Sequence, residues 1–422
     1  MRFGVAKETI TPDFPMFMIG YAEYYKKTFQ SIHDDLYVRC LMLDDGKSRS
    51  LMIAYDLLFH DHGLAQTVRA FATKEFGIDE DAVILSYTHT HYSVAVRGYA
   101  SEEADDRYET FLLERTKTCI RKALMNSFEG RLSLVTTTAD ESINRRKPVN
   151  GEFIMAPNQE AEKDNELSAF VIRDKEDRVR AIAVNYSCHP NILRDVRILS
   201  SEYPGRICQI LENEYYGSYA LFFQGSGADT RARVTAEYDR FVPRTTDDVD
   251  DMARRLAGKI IREIGLGHGK EEKLDLRYGT FCIPCPLDVK DRDYYRQDLE
   301  TDPFEAIREC ARFVMDNYDS LPDTCDLHGG CLSVSKDILV VYLGGEICYS
   351  TKKLIKEAFP DRFIYFIGYA DSTAYVPSDK IISEGGYEHE GSIIEYRLKG
   401  TFRAGIDKLM IDAIKETLSA FG

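Results

Sequence analysis

Five apolar runs of β type, each closed by a polar cluster, constrain this chain more than any other feature. Val83 to Leu85 leads into Thr88-His89-Thr90-His91, Ala181 to Val184 into Asn185-Tyr186-Ser187-Cys188-His189-Pro190, and Tyr219 to Phe223 into Gln224-Gly225-Ser226-Gly227-Ala228-Asp229. Ile338 to Leu343 leads into Gly344-Gly345-Glu346, and Phe363 to Ile367 into Gly368-Tyr369-Ala370-Asp371. Short apolar runs interleaved with helical periodicity read as buried strands of an α/β fold. Ligands of such sheets sit beyond the carboxyl ends of the strands, so clusters far apart in sequence can share one crevice. The pattern predicts a mixed or mostly parallel sheet core with flanking helices and a metal site at those ends.

Apolar spacing predicts helices from Leu64 to Phe76, with Gly77 as the stop, from Tyr108 to Ser127, and from near Thr245 onward with Val249, Met252, Leu256, Ile260 and Ile264 inward. A last helix runs from Ile406 to Leu418. With no repeat, low-complexity tract or long linker, residues 1–422 read as one continuous unit. A formal charge of −16 without a basic run removes the electrostatic footprint of a nucleic-acid binder. No apolar run approaches the roughly 18 residues of a membrane span, and the start Met1-Arg2-Phe3-Gly4 lacks a secretory signal. The expectation is a cytoplasmic protein with reduced cysteines and no stable membrane association, acting on a small molecule. Cys282-Ile283-Pro284-Cys285 stands without a second pair at zinc-finger spacing. Oligomeric state is left open by the sequence.

The polar clusters bear the chemistry. Residues two apart on a strand share a face, so His89 and His91 can converge on one ion or reacting group, or form a hydrogen-bonded structural pair. Together with His189 and Glu346 they make the inventory of a hydrolytic zinc site, imidazoles plus a carboxylate with room for water. His189 before Pro190 also reads as a turn histidine, and Glu346 as a capping acid for a helix over Thr351 to Ala358.

The order and wording of the motifs carry a resemblance. They run from Gly4-Val5-Ala6-Lys7 with Ile10-Thr11-Pro12 and Met18-Ile19-Gly20-Tyr21 to His33-Asp34-Asp35-Leu36-Tyr37-Val38-Arg39 and Ala54-Tyr55-Asp56-Leu57-Leu58. They continue with Thr88-His89-Thr90-His91, Asn144-Arg145, His189-Pro190, Gly345-Glu346, and Ala374-Tyr375-Val376 with Gly386-Tyr387-Glu388. As an ordered set these resemble the neutral/alkaline non-lysosomal ceramidase family, in the form of a short, divergent, bacterial-type member. The resemblance implies zinc held by His89, His189 and Glu346, with Tyr375 as a further ligand or close neighbour. It implies that His91, Arg145 and Tyr387 face the reacting carbonyl, and that 1–422 is a single catalytic domain without the family's C-terminal immunoglobulin-like domain.

One departure bears on mechanism. Where the long ceramidases carry Gly-Asp-x-Ser-Pro, this chain reads Gly227-Ala228-Asp229-Thr230-Arg231-Ala232. Aligning on Asp229 puts Arg231 at the serine position, sliding by one puts Thr230 there, and Ser226 lies at the wrong offset. The resulting expectation is a zinc amidohydrolase that works through metal-activated water, with Asp229 positioning a donor or the loop and Arg231 meeting a polar or anionic substrate. That substrate is expected to be a soluble N-acyl compound rather than ceramide. An esterase, or a metal-binding regulatory or ligand-binding protein without turnover, are the alternatives. Polar segments around Arg97 to Asp106, Lys147 to Glu166 and Asp288 to Asp302 are candidate rim loops.

Overall fold

A computed structural model describes residues 1–98, 103–193, 197–371 and 374–421. The main sheet runs, edge to edge, through Tyr219–Gln224, Val179–Tyr186, Glu166–Asp174, Phe128–Thr138, Arg2–Thr9, Tyr37–Asp44, Arg49–Tyr55 and Val83–Tyr87, with Lys270–Glu272 also paired to Phe128–Thr138. It is mixed, and antiparallel pairs predominate. The parallel pairs lie at its two ends, Arg49–Tyr55 with Val83–Tyr87 and Val179–Tyr186 with Tyr219–Gln224. Those ends are the strands that carry the polar clusters.

A second, five-stranded sheet runs Phe363–Ile367, Ile338–Leu343, Thr324–Ser333, Arg277–Val289, Gly400–Phe402. It lies face to face with the first. One apolar layer joins Phe3, Leu41, Met52, Ile84, Phe170 and Leu221 of the main sheet to Leu332, Ile338, Val340, Tyr365 and Ile367 of the second. Phe170 stacks on Tyr365 at 4.4 Å between ring centroids, and the Tyr365 hydroxyl donates to the Ala183 carbonyl at 3.0 Å. On the outer face of the main sheet lie the helices His62–Phe76, Asp106–Met125, Glu202–Glu214 and Thr246–Gly265. Tyr349–Ala358 and Ile406–Ser419 cover the outer face of the second. Four layers result, helices on sheet on sheet on helices: the mixed sheet core with flanking helices that the sequence predicted, built here from two facing sheets.

The helices start and stop for local reasons. Asp61 accepts the Leu64 amide to cap the first, and Gly77 at φ +63° ends it. Thr245 and Asp248 form a capping box on the helix over Thr246–Gly265. Of the candidate rim loops, residues 99–102 lie outside the described residues. Lys147 to Glu166 contains the strand Glu152–Asn158, paired with Ser142–Val149. Most of Asp288 to Asp302 is the helix Arg292–Thr301, which pairs with Glu305–Asn317 beside the site. Among the described residues no helix is long and apolar enough to cross a membrane.

The two sheets are spliced where the site forms. Asn185 donates to the Phe223 carbonyl at 2.9 Å and to the Phe366 carbonyl at 2.8 Å, one acceptor from each sheet. The Tyr87 amide bonds to the Tyr369 carbonyl at 3.1 Å and the Gly368 amide to the Gln224 carbonyl at 2.9 Å. Gly368 has to be glycine, because a Cβ there would stand 2.7 Å from the Gly225 carbonyl oxygen.

Candidate functional site

The strand Val83–Tyr87 stops two residues before His89, so His89 and His91 do not share a pleat as the sequence predicted. They converge because His89 adopts left-handed backbone at φ +63°, a conformation that costs a non-glycine residue about 1–3 kcal/mol. Their rings meet edge to face at 5.1 Å, and His189 packs 4.8 Å from each. His89 and His189 are buried, and His91 and an edge of His189 open onto a cavity.

Backbone carbonyls orient the imidazoles. His89 Nδ1–H donates to Leu58 O at 2.9 Å and His91 Nδ1–H to Gly20 O at 2.6 Å. Each bond leaves Nε2 as a bare lone pair, the state of a metal ligand. His189 Nε2 lies 2.8 Å from His91 Nε2, and its Nδ1 lies 3.3 Å from the Gly227 carbonyl and 3.8 Å from Glu346 Oε2. With His91 Nε2 bare, His189 Nε2–H donates to it, which leaves His189 Nδ1, on the Glu346 side, for a cation. Desolvation, reinforced by the neighbouring His89, holds the pKa of both His91 and His189 well below that of ordinary histidine, which keeps them neutral. The donor atoms of His89, His91 and His189 lie within 4.8 Å of one another, and the group could hold a metal ion.

Glu346 closes the arrangement from the second sheet. Its Oε2 and His89 Nε2 lie 3.3 Å apart, both buried, and neither makes a hydrogen bond among the described residues. Ligands about 2.1 Å from a tetrahedral ion stand roughly 3.4 Å from one another, so the orphaned pair fits the edge of such a site. Burial alone would raise the Glu346 pKa, but His89 and the Tyr396 hydroxyl, which donates to Oε1, offset it and hold the carboxyl below its usual range. Tyr369, also left-handed at φ +54°, lays its ring 4.4 Å from that of His89 and has a buried hydroxyl without a hydrogen-bond partner among the described residues.

The wall beside the histidines is an arginine–tyrosine assembly. Arg145 donates to the Tyr375 hydroxyl at 2.9 Å and to Glu388 at 2.8 Å, and its guanidinium lies 5.4 Å from the Tyr375 ring centroid and 5.5 Å from that of Tyr387. Arg146 also donates to Glu388. The Tyr387 hydroxyl donates to Glu395, 2.9 and 3.0 Å from its two oxygens. Burial raises the pKa of both tyrosines well above the ordinary phenol value, so they act as neutral donors.

A cavity of about 490 Å³ opens over this floor. His91, His189, Arg145, Tyr375, Tyr387 and Arg231 line it, with Met18, Ile19 and Tyr21 and, from Glu305–Asn317, the apolar Ile307, Cys310 and Phe313 beside the charged Glu309, Arg312 and Asp316. His89 and Glu346 lie beneath. In the loop that departs from Ser-Pro, Arg231 reaches the cavity, with its guanidinium 5.0 Å from the Phe241 ring centroid. The Asn191 amide orientation that satisfies both groups turns its oxygen toward Arg231, 3.0 and 3.1 Å from two guanidinium nitrogens. Thr230 instead donates to the Gly227 carbonyl at 3.2 Å, and the Ser226 hydroxyl is buried 3.4 Å from Ser187 Oγ. Asp229 does not line the cavity. Its carboxylate accepts the Tyr349 amide at 3.1 Å, its carbonyl accepts the Arg145 amide at 2.9 Å, and burial pushes its pKa up to about 6.

Four contributors escaped sequence reading: Tyr369, Glu388, Glu395 and Tyr396. Tyr369 and Glu388 belong to motifs that were noticed for other residues, whereas Glu395 and Tyr396 sit in a turn-rich stretch with no periodicity to mark them.

Comparison with known proteins gives a fold. No sequence-family model and no curated relative matches the chain. Among solved structures it superposes on neutral ceramidase from Pseudomonas aeruginosa with a TM-score of 0.75 and 15% identity, over 98% of this chain and 73% of that one. It superposes on a ceramidase complexed with C2 with a TM-score of 0.76 and 16% identity, over 98% and 74%. At that distance in sequence it is the backbone architecture that is shared, and the chain has the fold of a neutral ceramidase.

Proposed function

We infer that this protein is a zinc-dependent hydrolase of amide bonds, a ceramidase-like N-acyl amidohydrolase. The observation that carries the reading is the orphaned pair His89 Nε2 and Glu346 Oε2, buried face to face beside His189, because unpaired polar atoms inside a protein are costly unless something binds them. His89, His189 and Glu346 would hold the ion, with Tyr375 as its neighbour or fourth ligand. Bound zinc would supply a water acidified to a pKa of about 7 and polarise a carbonyl.

The chain's own residues do the rest. His91 and Tyr387 border the space where the amide carbonyl would lie, and fixed positive charge is worth most where its oxygen gathers charge. Arg145, oriented by Glu388 and by the Asp229 carbonyl, holds Tyr375 in place and adds positive charge. The apolar side of the cavity suits an acyl chain, and Arg231 with Asn191 suits a polar or anionic head, so the substrate is read as a soluble N-acyl compound. All ten cysteines are free thiols, which fits a reducing compartment such as the cytoplasm.

Metal analysis of the purified protein should return one zinc per chain, and His189→Ala should abolish both zinc retention and hydrolysis of a panel of N-acyl amino acids, N-acyl sugars and short-chain ceramides. Full turnover in metal-free protein would end the reading. A second reading, a ligand-binding protein without turnover, is favoured by one feature: no free hydroxyl stands where the ceramidases carry serine. Calorimetric binding of the same panel without product would select it.

A further inference from the structure

Hydrolysis of an amide moves two protons that the residues discussed so far do not handle well. The attacking water must lose one, and the leaving nitrogen must gain one before it departs as an amine. Arg145 stays charged, the two tyrosines are weak acids in this setting, and the histidines are committed to backbone carbonyls and to one another.

Glu103, Glu309, Asp316 and Glu395 line the cavity, and of these four Glu395 bonds to Tyr387 on the arginine–tyrosine wall. Both Glu395 oxygens lie within hydrogen-bond reach of the Tyr387 hydroxyl. Among the described residues the carboxylate makes no salt bridge, whereas Glu388 nearby is tied to Arg145 and Arg146 and so is fixed as an anion. We propose that Glu395 is the proton shuttle of this site, taking a proton from the attacking water and delivering it to the leaving nitrogen, with Tyr387 holding its carboxyl toward the cavity. The inference rests on the hydrolase reading above.

The steps balance without a further reactant. Glu395 starts as carboxylate; as the water oxygen bonds to the carbonyl carbon, one water proton passes to Glu395. When the carbon–nitrogen bond breaks, its electron pair stays on nitrogen and the same proton moves there from Glu395. The amine leaves, the acyl carbon is released as a carboxylic acid, and Glu395 is again ionised. The surroundings suit a group that must exist in both forms. Burial raises the carboxyl, the Tyr387 hydroxyl offsets part of that, the charge of Glu346 raises it further, Arg145 lowers it and Asp302 raises it, leaving a pKa of about 7.

Glu395→Gln tests the shuttle, since the amide oxygen still accepts from Tyr387 but cannot carry a proton. Zinc-loaded wild type and variant would be assayed on an N-acyl alkylamine and on the p-nitrophenyl ester of the same acid, whose phenolate leaves without a proton. The variant is expected to lose roughly 10²–10⁴-fold on the amide, the span typical of general acid–base catalysis, and clearly less on the ester, with zinc content by atomic emission unchanged. Infrared difference titration of the metal-loaded wild type should show a carboxyl band that the variant lacks. Equal loss on both substrates, an unaffected amide rate, or a variant without that spectral change would overturn the shuttle while leaving the hydrolase reading intact. Zinc-loaded wild type that cleaves neither substrate would overturn the hydrolase reading and the shuttle with it.

Discussion

Replacing Tyr396 by Phe removes one hydroxyl, the donor to Glu346 Oε1, and leaves the ring packed 5.8 Å from that of Tyr375. A hydrogen bond to a charged group contributes about 1.5–3 kcal/mol. At about 1.4 kcal/mol per decade that corresponds to a loss of roughly 10- to 150-fold in metal affinity. This is a ceiling, because the hydroxyl donates to the carboxylate with or without an ion, and only the difference between the two states reaches the binding constant. Partners of metal-binding carboxylates typically contribute about 10–100-fold, within the same range. The assay is competition for zinc between the protein and a chromophoric chelator at fixed pH, with unfolding by urea as the control for structure. If Tyr396→Phe binds zinc as tightly as wild type while Glu346→Gln does not bind it, the hydroxyl is not supporting a metal ligand and the assignment of Glu346 loses its geometric basis.

Other outcomes follow from the same geometry. Zinc at about 100 times its dissociation constant should add about 2.7 kcal/mol of stability, visible as a rise in melting temperature that a chelator reverses and that His89→Ala lacks. Arg231→Ala should weaken turnover of acidic N-acyl substrates by roughly 10- to 100-fold, the equivalent of one charge-assisted bond, and spare neutral ones; identical selectivity in the variant would remove Arg231 from recognition. Lys352 is fully buried against Asp164 at 2.6 Å and Glu166 at 3.1 Å, and Glu166 is also paired with Lys356 at 2.8 Å, so Lys352→Met strands the buried Asp164 carboxylate and should cost about 3–5 kcal/mol in urea unfolding. Above neutral pH the metal-free protein should lose stability. Burial raises the Glu202 carboxyl to about 8 from 4.5, and carboxylate partners raise His60 to about 9 from 6.5 against its desolvation. Both bind more protons folded than unfolded in this range, so stability falls by up to about 1.4 kcal/mol per pH unit for each proton; a urea midpoint that rises between about pH 7 and 9 would contradict the sign.

Much of this site was legible because strands of an α/β sheet present the residues beyond their carboxyl ends to one crevice, so the polar residues that follow apolar runs are the ones to suspect. Val83 to Leu85 and Ile338 to Leu343 are strands, and their following polar residues do meet. The facing of two sheets was not legible, since a buried strand such as Ile338–Leu343 has the same composition whether a helix or another sheet covers it. Nor was the way His89 and His91 converge, because a left-handed histidine has no signature in the sequence. Glu395 and Tyr396 escaped for a different reason. With 26 tyrosines in the chain, a phenol that matters only through its reach across a turn cannot be told from one that fills a core.

The division of the candidate ligands between two sheets has a consequence for assembly. His89 and His189 follow strands of the larger sheet, Glu346 follows a strand of the smaller one, and the layer holding the sheets together is centred on contacts such as Phe170 with Tyr365. An ion gripped from both sides is a clamp across that seam, and a folding species whose sheets have not yet docked would offer it only half a coordination shell. Metal uptake would then report the closing of the entire core, and a lesion at Phe170, far from any histidine, would empty the site as effectively as removing a ligand.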